Sequence, residues 1–436
     1  MTRREGPRIY GLFYPLVGEI ARWHDHLQRV RDMGFNWLQL NPIHYPGFSG
    51  SLYAVKDYYR LNPIIVPETD GDPWGRVRSF IEAAERHGLK VLVDLVVNHT
   101  SKDSVLVLEH PEWFVRGPDG GLLSPFAIDP SDARKKTVWG DLAEIDYNSR
   151  GHREAIWSYM KDVTLWLLRQ GVQGFRCDTA YKLPWEFWAY LMDEARLARP
   201  GVIFVAETLG CRLEEALALA PAGFDFFLNS SKWWDFQEAW CLEQYETFRH
   251  VAPSISFPET HDTPRVAAEG DGDPRHAELK YLFAAFFSTG VFMPIGFEYG
   301  FRRRLDVVRT RPEQWEGPTY DITAFVREVN AVKAGCRTLN AEGPIQRFEV
   351  PAPAVALYKG DDAGREGVLA LLNPDPRLRA AVNLLDLEGR LGKVPGGFSE
   401  ITPGRRKEAL DSSQVLDLAP MEMRLFEHTE APGPAR

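Results

Sequence analysis

Acidic, basic and imidazole side chains stand where short apolar runs end: Asp94-Leu-Val-Val-Asn98-His99, Arg176-Cys-Asp178, Ala206-Glu207 and His261-Asp262. Paired carboxylates of this kind can break a glycosidic bond. One protonates the leaving oxygen, and the other attacks the anomeric carbon or activates water. The acid must hold its proton near neutral pH, which burial or a neighbouring carboxylate achieves. The nucleophile must stay ionised, and a guanidinium beside it favours that form. Arg176 and Asp178 lie two apart on one predicted strand, so their side chains share a face. A lone carboxylate at a strand end more often just caps the following helix. The set, spread over several strand ends, is what points to chemistry.

Such groups meet only if the elements carrying them end in one place. The runs Ile9–Phe13, Phe35–Leu40, Val91–Leu95, Gly174–Cys177, Val202–Ala206, Phe224–Leu228, Ser254–Phe257 and Val291–Ile295 are short and mostly apolar. They read as parallel strands buried on both faces. Helical patterns lie between several of them: Ile156, Met160, Val163 and Leu167 fall on one face, as do Val77, Ile81 and Ala84 before Gly88. Eight strands alternating with helices predict an α/β fold, a (β/α)₈ TIM barrel, whose reacting groups gather at the C-terminal ends of the strands. The barrel is expected over 1–97 and 151–343. Residues 98–150 are far too long for a usual βα loop and predict an inserted subdomain after strand 3. Beyond 343, Ile345–Val350, Ala354–Lys359, Gly367–Leu372 and Glu422–Phe426 predict a C-terminal antiparallel β-sandwich over 344–428. The Pro/Gly/Ala-rich residues 429–436 predict a disordered tail.

Bulk properties exclude several function classes. The net charge of −10 argues against nucleic acid and anionic membrane surfaces as partners. No apolar run approaches a membrane span, and no hydrophobic stretch follows Arg3-Arg4 to make a signal peptide. Cys177, Cys211, Cys241 and Cys336 form no C-x-x-C pair, so neither a zinc site nor a disulfide framework is expected, and a reducing cytoplasm is the expected location. Composition leaves the oligomeric state open. Aromatic residues make up 12% of the chain, enough for both a core and rings that stack on sugar faces.

The ordered motifs resemble the α-amylase family, glycoside hydrolase family 13. Asp94–His99 is similar to its D-x-x-x-N-H region, Gly174-Phe-Arg-Cys-Asp178 to G-F-R-x-D, Ala206-Glu207 to the catalytic-acid region, and Thr260-His261-Asp262 to the final x-H-D region. Leu142–Asn148 resembles a fifth region, and Gly34–Ile43 the second strand. Each motif alone is weak, but the ordered set is specific and spans nearly the whole chain. The resemblance implies Asp178 as nucleophile, Glu207 as general acid/base and Asp262 as transition-state stabiliser. It implies that Arg176, His99 and His261 contact the nucleophile or the sugar, and that Tyr53, spaced from Asp57 as in the family, stacks beneath the reacting glucose. Asp94 would orient its neighbours. Asn98 is a calcium-ligand position in many members, which leaves calcium open, although the carboxylate chemistry requires no cofactor and no metal-ligand cluster is read here.

Where many amylases carry Lys-His after the nucleophile, this chain has Tyr181-Lys182, also expected to line the substrate site. That stretch, Pro42-Ile43-His44 and Gly296-Phe-Glu-Tyr are more similar to bacterial maltosyltransferases that use maltose 1-phosphate. Lys56, Lys182 and Arg302–Arg304 are the candidate phosphate donors. The leading expectation is a retaining α-glycoside hydrolase acting on an oligosaccharide or α-glucan, with transglycosylation open to it. The alternatives are a glycosyltransferase, with or without phosphate, and a non-catalytic glucan-binding relative; the presence of all three carboxylates weighs against the latter.

Overall fold

The computed structural model describes residues 5–67, 71–129, 132–362, 364–391, 397–405, 408–410 and 415–429. Eight strands form its centre: β1 (Arg8–Leu12), β2 (Trp37–Leu40), β3 (Lys90–Leu95), β4 (Gly174–Cys177), β5 (Ile203–Ala206), β6 (Phe226–Leu228), β7 (Ser254–Ser256) and β8 (Gly290–Pro294). Each pairs in parallel with the next, and β8 closes on β1. This is the expected (β/α)₈ barrel. Some apolar runs overshoot their strands: Phe35, Phe224 and Phe257 are buried beyond the paired residues, because burial makes a run apolar whether or not its backbone joins the ladder.

Alternation along the strands sorts the side chains. Ile9, Trp37, Leu92, Ile203, Val205, Phe226, Leu228, Ile255 and Phe292 pack together inside the barrel. Their neighbours Tyr10, Leu38, Val91, Val93, Phe175, Phe204 and Val291 join the larger core under the helices. Small residues make room for the large interior rings. A Cβ on Gly174 would lie 2.8 Å from Ile203 Cγ1 and 3.2 Å from the Trp37 ring. The helix Arg153–Arg169 buries Ile156, Met160, Val163 and Leu167 as its spacing predicts. The helix Pro73–Arg86 begins at Asp72, whose carboxylate accepts from Gly75 N at 2.9 Å, and is followed by Gly88 in the left-handed region.

Residues after β3 form the insertion. Its strands His99–Ser101 and Leu142–Glu144 pair antiparallel, and Phe126–Asp129 pairs with Asp132–Val138. Ile145 N donates to Asn98 O, so the two ends of the insertion are tied together beside the mouth. At the other end of the chain, Ile345–Phe348, Val355–Gly360, Glu366–Leu372, Met423–Thr429 and Ser399–Glu400 form a five-stranded antiparallel sheet. Ala380–Asn383 and Val415–Leu418 form a second layer across a core containing Leu369, Leu371, Val382, Leu416 and Phe426. Thr429 ends the last strand, and the rest of the expected tail lies outside the described residues. Buried Lys359 of this domain donates to Phe287 O at 3.0 Å, and Lys333 to Ala285, Ser288 and Leu339 O, which satisfies carbonyls at the end of the helix Pro274–Phe287. All four cysteines are free thiols. Among the described residues, no helix is long and apolar enough to cross a membrane.

Candidate active site

The same alternation that fills the barrel with hydrocarbon brings polar groups to its mouth. Two residues beyond interior Trp37, Leu92 and Gly174 come Gln39, Asp94 and Arg176. The register sets Asp94 opposite Arg176. Arg176 Nη1 reaches Asp94 Oδ2 at 3.1 Å and Asp178 Oδ1 at 2.9 Å. Asp94 is fully buried and also accepts from Gln39 Nε2 at 2.7 Å and Tyr53 Oη at 2.5 Å. Two buried carboxylates thus share one guanidinium, and hydrogen bonds use most of the remaining acceptor capacity of Asp94. This fixes the direction in which Arg176 can present Asp178.

Glu207 closes the other side. Its Oε2 accepts from Thr179 N at 2.9 Å and its Oε1 from Leu209 N at 2.7 Å. The first donor is the peptide directly after Asp178, so the two carboxylates flank one peptide unit. Thr179 reaches this position in a left-handed conformation, φ 41° and ψ 47°, which is costly for a β-branched residue. Asn98 Nδ2 donates to its hydroxyl at 2.5 Å. Burial lifts the Glu207 carboxyl to about 7, aided by Asp178 and Asp262 and opposed by Arg176 and the Leu209 N–H. The pair therefore divides into a proton holder and a carboxylate beside a cation.

Asp262 stands across the mouth. Its side chain is 62% exposed and lies 3.1 Å from His261 Nε2, close enough to raise the Glu207 pKa through space. His261 stacks on Tyr53, with centroids 5.3 Å apart and 11° between planes, and on Phe13 at 6.4 Å. Tyr53 is held from both ends: its hydroxyl donates to Asp94 and accepts from Asn41 Nδ2 at 3.0 Å, and its carbonyl faces His99 Nε2 at 3.1 Å. Because a carbonyl only accepts, His99 Nε2 carries the proton, and burial lowers the pKa of the ring. Tyr181 lies near enough to Glu207 and Asp178 for their charges to raise its pKa, after burial as the main cause.

The gathering is not complete. Asp57 accepts from Tyr59 N at 2.8 Å in the hairpin after β2, and no hydrogen bond joins it to Asp178, Glu207 or Asp262. Lys182 turns toward the insertion, 5.7 Å from the Phe126 ring centroid. Asn98 Oδ1 is buried without a partner, but calcium takes six to eight oxygens. Among the described residues, no group of three or more His, Cys, Asp or Glu side chains could hold a metal. Conversely, Gln39, Asn41, Phe13, Thr179 and the Leu209 N–H belong to the constellation although the sequence reading did not select them. Gln39 had a legible signal, since it is a polar residue two positions after interior Trp37 in a buried strand. A backbone N–H has none. A cavity of about 570 Å³ lies elsewhere, between the helix Thr323–Gly335 and the C-terminal domain, so the site is identified by convergent groups and not by volume.

Comparison with known proteins agrees with this architecture. The family model for the glucanotransferase domain of glycogen debranching enzyme matches residues 7–115. An α-1,4-glucan:maltose-1-phosphate maltosyltransferase of Burkholderia pseudomallei is 28% identical over 92% of this chain and 36% of its own length. The enzyme of the same name from Myxococcus xanthus is 30% identical over 80% of this chain and 55% of its own. The chain thus spans from about a third to just over half of these relatives. Among solved structures, an α-amylase from Lactobacillus plantarum superposes with a TM-score of 0.75 at 22% identity, covering 97% of this chain and 99% of that one. A debranching enzyme from Nostoc punctiforme gives 0.70 at 16% identity, covering 97% and 98%. The two superpositions bear on the fold. Together with the sequence matches and the ordered motifs, they support the resemblance to the α-amylase family, with local similarity to its maltosyltransferases.

Proposed function

We propose that the chain is a retaining enzyme of α-glucans or related α-glucosides that passes a glycosyl group through Asp178 to water or to a second sugar. The observation that carries this reading is the division of the carboxylate pair: a buried Glu207 with a raised pKa, one peptide unit from an Asp178 that faces Arg176. In the first step Glu207 gives its proton to the glycosidic oxygen while an Asp178 oxygen bonds to the anomeric carbon. In the second, ionised Glu207 takes a proton from water or a sugar hydroxyl, which displaces Asp178. The developing positive charge on the sugar lies between Asp178 and Asp262. Tyr53, stacked on His261, supplies an apolar ring face beneath the sugar. No cofactor enters these steps.

A second reading, transfer from a glycosyl phosphate, is favoured by the names of the matched maltosyltransferases and by the cations near the mouth. Lys56 is paired with Asp103 and Arg302 with Asp271. Lys182, like Lys136, lies over the Phe126 ring, and Arg304 reaches Asp262 O at 2.6 Å, which leaves Lys182 and Arg304 as the better phosphate candidates. Product analysis on maltose, maltooligosaccharides, trehalose, sucrose and maltose 1-phosphate, each with and without added phosphate, separates the readings. Reducing-sugar release or chain lengthening is expected with at least one substrate. Phosphate release with maltose 1-phosphate alone would favour the second reading. Silence on every substrate would overturn both and leave a glucan-binding protein.

A further inference from the structure

The proposed reaction leaves open what occupies the acceptor side of the mouth, and one exposed ring bears on it. Trp233 is 51% exposed, between Lys232 and Trp234, which are both buried. Its neighbours anchor the loop: Lys232 Nζ pairs with Glu269 at 3.1 Å, and Trp234 Nε1 donates to Glu238 O at 2.8 Å. Asn229 and Ser231 tie the same segment to Ser256 of β7 at 3.0 Å each. A large apolar ring kept in water by a loop that could have buried it is informative in a way that a scattered surface leucine is not.

Its place follows from the strand order. Trp233 comes after β6, between β5, which Glu207 directly follows, and β7, which leads to Asp262. The indole stands edge-on to Phe257, with centroids 6.0 Å apart. Phe257 belongs to the apolar cluster against which Leu209 packs, and Leu209 N donates to Glu207. A continuous run of contacts therefore leads from the acid to the exposed ring. Tyr53, His261, Asp94 and Arg176 instead contact one another, through the Tyr53 ring and hydroxyl and the Arg176 guanidinium. The leaving group must lie next to the acid that protonates it, and the acceptor enters by the same side. The two preceding loops also carry exposed apolar side chains, Trp185 and Leu213.

We infer that Trp233 is the stacking platform for the acceptor glucan, and that it sets how the glycosyl group on Asp178 divides between a sugar and water. The inference rests on the retaining reading above. The flat CH face of a glucose unit covers the indole, holds the acceptor hydroxyl near Glu207 and displaces water from that side.

The test incubates wild type, Trp233→Ala and Trp233→Phe with 4-nitrophenyl α-maltoside and maltotetraose, and compares nitrophenol release with chromatographed transfer products. In Trp233→Ala the transfer-to-hydrolysis ratio should fall about tenfold and the acceptor KM should rise by a similar factor, the order set by losing one ring face of apolar burial. Trp233→Phe should recover most of both. Calorimetric titration of maltoheptaose into Asp178→Asn, with and without Trp233→Ala, should show the same weakening without turnover. An unchanged ratio in Trp233→Ala, or hydrolysis by wild type with no transfer at high maltotetraose, would overturn the platform alone. Wild type that releases no nitrophenol and does not bind maltoheptaose would overturn the enzymatic reading together with it.

Discussion

Replacing Glu207 with glutamine removes the titrating proton and keeps nearly the same shape. In the unfolded chain a glutamate titrates near 4.5, whereas the folded side chain titrates near 7. Between those values the folded state holds the extra proton, so stability falls as pH rises through the window. Above pH 7 the buried charge costs about 3 kcal/mol, at roughly 1.4 kcal/mol per pKa unit. Below pH 4.5 the cost vanishes. Glutamine offers one acceptor oxygen where the carboxylate offers two to the N–H groups of Thr179 and Leu209, which costs about 1 kcal/mol. Glu207→Gln should therefore be about 2 kcal/mol more stable than wild type at pH 8 and slightly less stable at pH 4.5. Equilibrium urea unfolding at the two pH values reads this crossover directly. Glycoside cleavage should meanwhile fall by at least about 10²-fold, as for loss of a general acid. Wild-type turnover should decline as pH rises through about 7. A stability difference that does not change with pH would show that burial is not what holds this proton, and the acid assignment would go with it.

Asp178→Asn should lower turnover by at least about 10³-fold while the urea midpoint stays close to wild type, because Arg176 keeps Asp94 as a partner; turnover within tenfold of wild type would remove the nucleophile assignment. Arg176→Ala strands Asp94 and Asp178 without their cation and should destabilise by about 3–5 kcal/mol at pH 7, so a loss below about 1 kcal/mol in urea would contradict the shared-guanidinium account. Tyr53→Phe keeps the ring on His261 but removes the hydroxyl between Asp94 and Asn41. About 1–3 kcal/mol of stability should go, and an unchanged unfolding curve would mean that Asp94 is held by other groups.

The sequence by itself determined the strand ends. Short apolar runs separated by helical periodicity required a parallel sheet, and polar residues at the tips of those runs required a polar mouth, because a side chain two positions past an interior one must face the same way. Asp94, Arg176 and Asp178 were legible for that reason, and Glu207 and His261-Asp262 came with the ordered motifs. Tertiary structure alone decided the rest. Glu207 is poised by two backbone N–H groups, one offered by Thr179 in a left-handed turn, and no residue type announces where its amide will point. The Tyr53, His261 and Phe13 stack joins three distant loops across the barrel closure, so its members have no common spacing. Asp57 shows the converse: its distance from Tyr53 along the chain matches the motif, yet its carboxylate closes a local turn on Tyr59. Local pattern fixes which face a residue takes, because the pleat and the helix repeat over a few residues; which faces meet depends on how the barrel closes, and that is written in no single segment.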